Sequence, residues 1–506
     1  MAIPSTELAQ NTYEFETHAL VKPTGFREYD ARWWFGIAGS ARPPELNLLG
    51  VQALGAGLGT LLHEKGVTPR VVVGHDFRAY SLSIKQALTL GLMQSGCDVL
   101  DIGLALSPTA YYAQFALDAP AVAMVTASHN ENGWTGVKMG ANRPLTFGPE
   151  EMGALKEIVL GGRMVDRPGG RYVRVEGMRE RYIAALTETV KLSRPIRVVA
   201  ACGNGTAGAF APEALRRIGA DVIEVDCALD WRFPNYNANP EDAEMLHAMA
   251  DAVHKHGAEL ALGFDGDGDR CGVVDNEGEE IYADKIGLIL ARDLSAQYAN
   301  AKFVVDVKST GLYAVDPVLK ANGASVDYWK TGHSYIKRRT TELDALAGFE
   351  KSGHFFFRPP IGLGYDDGIV AGIAVLQMLD RNGGKTLADL KRALPISYTS
   401  LTMSPHCADE AKYGVVDAVV RQYEELAKVG GKILGRPIRD VNTVNGARVT
   451  LSDGSWVLVR ASSNKPELVV VVESMTSDED MRALFHQEVK PRLARFGEVG
   501  AYNQEI

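Results

Sequence analysis

"PRVVVGHDFR" spans Pro69–Arg78 and "SGCDVLDIG" spans Ser95–Gly103. The first is a basic residue, a β-branched run and then a polar loop bearing a glycine. Such runs read as strands buried on both faces of a parallel sheet. The second is a strand entered through a glycine, with a stretch of helix length before it. Strand, helix, then a Gly-x-Asp/Ser-Val strand is a βαβ unit. The unit recurs. "IRVVAACGNG" (Ile196–Gly205) leads to "IGADVIEVD" (Ile218–Asp226), and "AKFVVDVKST" (Ala301–Thr310) leads to "NGASVDYWK" (Asn322–Lys330). Three copies predict three related α/β domains in tandem. Each should offer a loop at the carboxyl ends of its parallel strands, where α/β sheets place ligands.

The last stretch departs from this pattern. "GARVTLSDGSWVLVRASSNKPELVVVVES" (Gly446–Ser474) alternates and turns at Asp453-Gly454 and around Pro466, which reads as antiparallel strands. "DEDMRALFHQEVKPRLARF" (Asp478–Phe496) follows as an amphipathic helix with a kink or break expected at Pro491. The expected domains are 1–170, 171–281, 282–395 and 396–506. The first three are α/β with mixed, largely parallel sheets. The fourth is α+β, and all four should surround a central cleft.

Bulk properties narrow the function. The chain has 506 residues, a formal net charge of −10 and a sequence pI of about 5.7. An acidic surface argues against nucleic acid as the main partner, since phosphate backbones need basic surfaces. It leaves room for small anionic substrates in a local basic pocket. The five cysteines (Cys97, Cys202, Cys227, Cys271, Cys407) are scattered without zinc spacing. Free thiols in a reducing, cytoplasmic setting are expected. "MAIPSTELAQNTYEFETHAL" has neither a basic n-region nor an apolar h-region, so no secretory signal is expected. No run of about 18 apolar residues predicts a membrane span.

Five loops carry the chemistry. "GFDGDGDRCGVV" (Gly263–Val274) crowds Asp265, Asp267 and Asp269 together and follows them with Arg270. Unneutralised, the carboxylates would repel one another. A hard divalent cation relieves that, and the alternating glycines let all three side chains face one ion. An EF-hand does not fit. Counting from Asp265, position 6 is Arg270 and position 12 is Asn276. "MVTASHNENGWTGVKM" (Met124–Met139) puts Ser128 and His129 at the end of a buried strand, either as a functional pair or as a polar turn. "GFEKSGHFFF" (Gly348–Phe357) spaces Glu350, Ser352 and His354 by two. In an extended segment they share one face, suited to neighbouring sugar hydroxyls or simply the polar side of an edge strand. "WKTGHSYIKRR" (Trp329–Arg339) adds His333 and Lys337 on another loop. "VRASSNKPEL" (Val459–Leu468) brings Arg460, Ser462, Ser463, Asn464 and Lys465 together at a strand end. A guanidinium fork, hydroxyls and loop amides suit a phosphate dianion.

In order and spacing these stretches resemble the α-D-phosphohexomutases over nearly the whole chain. TASHN matches the family's phosphoserine loop, DGDGDR its metal loop, EKSGH its sugar loop and RASSNKP its phosphate loop. "FREYDAR", with Tyr29 and Arg32, and "KTGHSYIK", with His333, are similar to the bacterial phosphomannomutase/phosphoglucomutase branch. The resemblance implies an intramolecular phosphotransferase that interconverts hexose 6-phosphate and hexose 1-phosphate, of mannose and also of glucose. It implies Mg²⁺ held by Asp265, Asp267, Asp269 and phospho-Ser128. It also implies a hexose 1,6-bisphosphate as activator and intermediate. Ser128, His129, Lys138 and Arg270 become the catalytic set. Tyr29, Arg32, Lys308, His333, Glu350, Ser352 and His354 become substrate-binding, with Arg460, Ser462, Ser463, Asn464 and Lys465 on the non-reacting phosphate. The partners implied are small-molecule hexose phosphates, with no nucleic acid and no membrane, for a monomer or small homo-oligomer.

Three departures from the family pattern stand out. Asn130-Glu131 occupies a place where the family has Asn-Pro, an insertion including Trp33-Trp34 follows Arg32, and Ser463 stands where many relatives have asparagine. The rival activities are phosphoglucosamine mutase, which Lys351 fits less well because an ammonium repels an amino sugar, and a metal-dependent sugar phosphatase.

Overall fold

Val71 and Val73 lie in one apolar cluster and Val72 in another, as a strand covered on both faces requires. The computed structural model describes residues 2–463 and 465–506. The chain divides into two units, Met1–Ala283 with Ser352–Ala388, and Asp284–Lys351 with Asp389–Ile506.

In the first unit one sheet runs, in spatial order, through Ala31–Trp34, Trp134–Gly140, Ala121–Val125, Arg70–His75, Asp98–Leu104 and Arg171–Arg174. Arg70–His75 is parallel to both Asp98–Leu104 and Ala121–Val125. Trp134–Gly140 turns back antiparallel to Ala121–Val125. The sheet runs past the boundary expected at 170. Arg171 grips Asp98 with both its Nε and Nη2, and Tyr172 Oη donates to Asp101, so this segment pairs as an edge strand. Helices Leu48–Glu64 and Ser81–Gln94 cover one face. They approach closely because Gly55 and Gly91 meet the opposing backbone, where a Cβ would stand 2.2 and 1.9 Å from a carbonyl oxygen.

A second sheet runs through Glu280–Ile281, Cys271–Asp275, Leu260–Phe264, Arg197–Ala201 and Asp221–Val225. Its repeat strands Arg197–Ala201 and Asp221–Val225 are parallel. Cys271–Asp275 folds back on Leu260–Phe264 through the aspartate loop.

In the second unit Lys302–Asp306 is parallel to Ser325–Trp329 and to Ala347–Phe349. The last sheet runs through Tyr398–Thr399, Leu468–Ser474, Trp456–Ala461, Ala447–Leu451, Arg436–Asn442 and Lys432–Ile433, with every recorded pairing antiparallel. Helix Asp409–Lys428 packs on one face of it through Val415, Val419 and Tyr423. The architecture is therefore three tandem α/β domains and a C-terminal α+β domain. Pro491 does not break the last helix. Residues Leu484–Val489 form a π-helical turn, and Pro491 sits in the helical turn Lys490–Leu493 that follows. The wider turn accommodates a residue with no N–H to donate. Among the described residues, no helix is long and apolar enough to cross a membrane.

Candidate active site

Just past the strand Ala121–Val125, Ser128 adopts φ = 52°, in the left-handed region. A non-glycine residue there is strained by roughly 1–3 kcal/mol and must be held by its surroundings. Ser128 N donates to Thr126 Oγ1 at 2.9 Å, and Arg78 Nη2 donates to the carbonyls of Ser128 and Asn130 at 3.0 and 2.6 Å. Arg78 is ion-paired with Asp76, whose carboxylate also accepts from Thr126 Oγ1 at 2.9 Å and Ser81 Oγ at 2.5 Å. This buried frame fixes Ser128 Oγ 3.0 Å from Asp265 Oδ2 and 3.2 Å from His129 Nδ1.

The aspartate loop is the hairpin turn between Leu260–Phe264 and Cys271–Asp275. Oxygens of Asp265, Asp267 and Asp269 lie within 4.8 Å of one another, and all three residues are buried. The two glycines do different work. Gly268 takes a left-handed φ of 73°. Gly266 brings the two loops into contact, since a Cβ there would stand 2.5 Å from the Ser128 carbonyl oxygen.

Lys138, on the strand Trp134–Gly140, is buried with Nζ 2.6 Å from Asp267 Oδ2 and also paired with Asp269. Ser107 Oγ donates to Asp267 Oδ2 at 2.5 Å. Burial pushes the Asp265 carboxyl well above the usual range, and the neighbouring Asp267 and Asp269 push it further. Burial acts the same way on Asp267, but the Lys138 ammonium and the Ser107 hydroxyl outweigh it and hold that carboxyl below the usual range. Burial alone would lower Lys138, yet Asp267 and Asp269 keep its ammonium well above its ordinary pKa. Asp267 Oδ1 is buried with no hydrogen-bond partner among the described residues. Three converging carboxylates, with buried oxygens of Asp267 and Asp269 that accept no hydrogen bond among the described residues, fit a hard divalent cation.

Arg270 continues from this loop. Its N donates to Asp265 Oδ1 at 3.2 Å and its Nε donates to His354 Nε2 at 3.0 Å. A ring nitrogen that accepts from a guanidinium carries no hydrogen, so the hydrogen of His354 is on Nδ1. That atom lies 3.1 Å from Asp366 Oδ2 and 3.6 Å from Asp269 Oδ1. Arg32 is paired through Nε with Asp30 at 2.9 Å, and its Nη1 donates to Asn130 Oδ1 at 2.5 Å. Tyr29 is buried just ahead of the strand Ala31–Trp34. Burial, then the charges of Arg270 and Arg32, hold His129 well below its ordinary pKa, so its imidazole is neutral. In the first unit, then, Ser128, His129, Lys138, Arg270, the three aspartates, Arg32 and His354 join in one network.

The EKSGH stretch is not extended. The strand Ala347–Phe349 ends before Glu350, and residues 351–353 turn, with Gly353 at φ = 93°. Alternate side chains therefore do not line one face. Glu350 falls in the second unit, while Ser352 and His354 fall in the first.

In the second unit, His333 is buried and begins the helix His333–Glu342, so it and Lys337 stand on a helix rather than on a loop. Thr331 N, just before it, donates to Asn445 Oδ1 at 3.2 Å. Asn445 precedes Gly446, where a Cβ would lie 2.7 Å from the Arg460 Cα. Arg460 is buried near the end of the strand Trp456–Ala461. Ser462 N donates to Glu467 O and Glu467 N to Lys465 O, which closes a turn carrying Ser463. Asn464 lies outside the described residues. Lys308 sits half-buried in the loop after Lys302–Asp306.

The structure adds Asp76, Arg78, Ser107 and Asp366 to this site, residues that no motif singles out. Asp76 and Arg78 were in plain view in GHDFR, as polar residues where a parallel strand ends. Ser107 and Asp366 had no comparable signal, because their partners lie 160 and 12 residues away.

Four family profiles match in order: phosphoglucomutase/phosphomannomutase alpha/beta/alpha domain I at residues 26–164, domain II at 180–278, domain III at 282–398 and the C-terminal domain at 407–490. The chain belongs to the phosphoglucomutase/phosphomannomutase family. It is accordingly a phosphohexomutase, an intramolecular phosphotransferase of a family that uses a metal ion. A Pseudomonas putida phosphomannomutase/phosphoglucomutase is 32% identical over 462 residues, covering 90% of this chain and 93% of the relative. A Neisseria gonorrhoeae phosphoglucomutase is 31% identical, covering 89% and 93%. The crystal structure of a phosphoglucomutase/phosphomannomutase family protein from Burkholderia thailandensis superposes with a TM-score of 0.82 at 27% identity, covering 95% of this chain and 100% of that one.

Proposed function

We propose that this phosphohexomutase interconverts the 6-phosphates and 1-phosphates of mannose and glucose, with Ser128 as the phosphoryl carrier and a hexose 1,6-bisphosphate as intermediate. The observation that carries the proposal is the buried Ser128 Oγ, held by a strained, fully braced backbone 3.0 Å from Asp265. The names of the relatives, phosphomannomutase/phosphoglucomutase and phosphoglucomutase, support the choice of sugars.

Asp265, Asp267 and Asp269, with a phosphate on Ser128, would hold Mg²⁺. When bound, the ion supplies positive charge that polarises the phosphoryl group. In the first half-reaction a sugar hydroxyl oxygen bonds to phosphorus as the bond from phosphorus to Ser128 Oγ breaks, and the proton the hydroxyl loses ends on the freed Ser128 Oγ. The bisphosphate formed then returns its other phosphoryl group to Ser128. Lys138, paired with Asp267 and Asp269, contributes positive charge beside the transferring group. The neutral His129 orients the serine oxygen. Arg270, steadied by His354, offsets charge on the moving group. Tyr29, Arg32, Lys308, His333, Glu350, Ser352 and His354 bind the sugar phosphate. Arg460, Ser462, Ser463, Asn464 and Lys465 hold the phosphate that is not reacting.

Intact-mass measurement after incubation with glucose 1,6-bisphosphate tests the carrier. One added phosphoryl group is expected on the parent protein and none on Ser128→Ala. Full labelling of the alanine variant rejects Ser128. Coupled assays with mannose 1-phosphate, glucose 1-phosphate and glucosamine 1-phosphate, primed with the bisphosphate, test the sugar. Turnover confined to the amino sugar overturns the assignment.

A further inference from the structure

The loop Val307–Gly311 is gripped from the last sheet of its own unit by two buried charged residues. Arg448 donates through Nη1 to the carbonyls of Val307 and Ser309, the two residues that flank Lys308. Its guanidinium is packed between the rings of Tyr328 and Trp456, at 4.3 and 3.8 Å. Glu473 accepts from Thr310 Oγ1 and Gly311 N, both at 2.7 Å, and also from Ser397, Thr399 and Trp456. Tyr328 Oη donates to the Thr310 carbonyl at 2.6 Å. Among the described residues of this loop, Lys308 alone is not buried.

Adhesion between the loop and the sheet does not need these charges. Val307 already sits in an apolar cluster with Trp456, Leu458, Val469 and Val471, and buried charges give less net stability than apolar packing of equal volume. What the directional bonds add is register, because they fix the backbone on both sides of one half-buried lysine. We propose that Arg448 and Glu473 are positioning residues that set the loop so that Lys308 meets the anionic sugar phosphate. This rests on the reading of Lys308 as substrate-binding.

A double-mutant cycle on the full chain tests it. Arg448→Met keeps the apolar stem and removes the donors, while Lys308→Met removes the ammonium. Each should lower kcat/KM for glucose 1-phosphate by about tenfold or more, mainly through KM. The double variant should fall no more than about twofold below Lys308→Met alone, since a misplaced lysine that is already absent has nothing further to lose. If the two losses multiply in full, Arg448 does not act through Lys308 and the proposal is overturned. If Lys308→Met stays within about twofold of the parent, the proposal and the substrate role of Lys308 both fail. Glu473→Gln, which keeps the shape and loses the charge, runs the same cycle with Lys308→Met. That cycle decides the matter if Arg448→Met does not fold by thermal melting.

Discussion

Lys138 Nζ and Asp267 Oδ2 meet 2.6 Å apart, both buried and separated by 129 residues of sequence. The ammonium is the close positive partner of Asp267 and Asp269 in this structure. Removing it strands buried carboxylates, which typically costs about 3–5 kcal/mol. Lys138→Met should therefore melt well below the parent in EDTA. Added Mg²⁺ should raise the variant's melting temperature more than the parent's, because the ion restores the missing charge. Equal shifts in the two proteins would separate Lys138 from the cation site.

Gly266→Ala is expected to disable the enzyme without unfolding it. The added methyl would meet the Ser128 carbonyl at 2.5 Å, and both partners are held by backbone. Displacing the Ser128 loop by about 1 Å is enough to lower kcat by about a hundredfold. Gly153→Ala, where the Cβ meets nothing within 4 Å, is the control and should be near neutral. Normal turnover of Gly266→Ala would mean that the two loops need not touch.

The fold was legible where burial is written into composition. The three β-branched runs became parallel strands because a strand covered on both faces must be apolar throughout, and their shortness, β-branching and flanking glycines set them apart from a buried helix. The aspartate cluster was legible because its alternating glycines have no use in an ordinary turn. Position relative to distant residues was not legible. The two-residue spacing of Glu350, Ser352 and His354 mimics a strand, but Gly353 permits a turn that the spacing does not reveal. The anchoring of Arg78 on Ser128, and of His354 on Arg270, depends on contacts 50 and 84 residues apart.

Arg460→Ala should raise KM and lower kcat for mannose 1-phosphate and glucose 1-phosphate alike. A charge-assisted contact to phosphate is worth about 1.5–3 kcal/mol, or roughly ten- to a hundredfold in affinity. Phosphorylation of Ser128 in the purified protein should change far less than turnover does. Values of kcat/KM within about twofold of the parent for both sugars would make the Ser462–Glu467 turn a structural one.

Asp367 predicts a pH dependence of stability. It caps the helix Gly368–Arg381 and accepts from Tyr182 Oη at 2.9 Å. Burial pushes its carboxyl up to about 7, against the backbone amides and the tyrosine that favour ionisation. The unfolded chain ionises this group near 4, so between about pH 4 and 7 the folded state carries the extra proton. Its contribution to stability is present below pH 4 and is lost as pH rises to about 7, at up to about 1.4 kcal/mol per pH unit. Asp367→Asn retains a capping oxygen and cannot ionise. Melting curves should show the variant gaining on the parent between pH 5 and pH 7.5, and parallel curves would remove Asp367 as the source.

The chain leaves its first unit at Ala283, builds part of the second, and returns at Ser352–Ala388 before finishing. The returning segment supplies the helix Gly368–Arg381, whose Gly368 N donates to Gly268 O in the aspartate loop and whose cap takes the Tyr182 hydroxyl. During translation the first unit therefore waits on the order of ten seconds after residue 283 emerges before it can close. The second unit waits for the release of the C-terminus. A ribosome stalled anywhere between 284 and 381 holds a nascent chain whose aspartate loop lacks its complete backing helix. Such a chain presents chaperones and proteases with an unfinished sheet face rather than a folded domain.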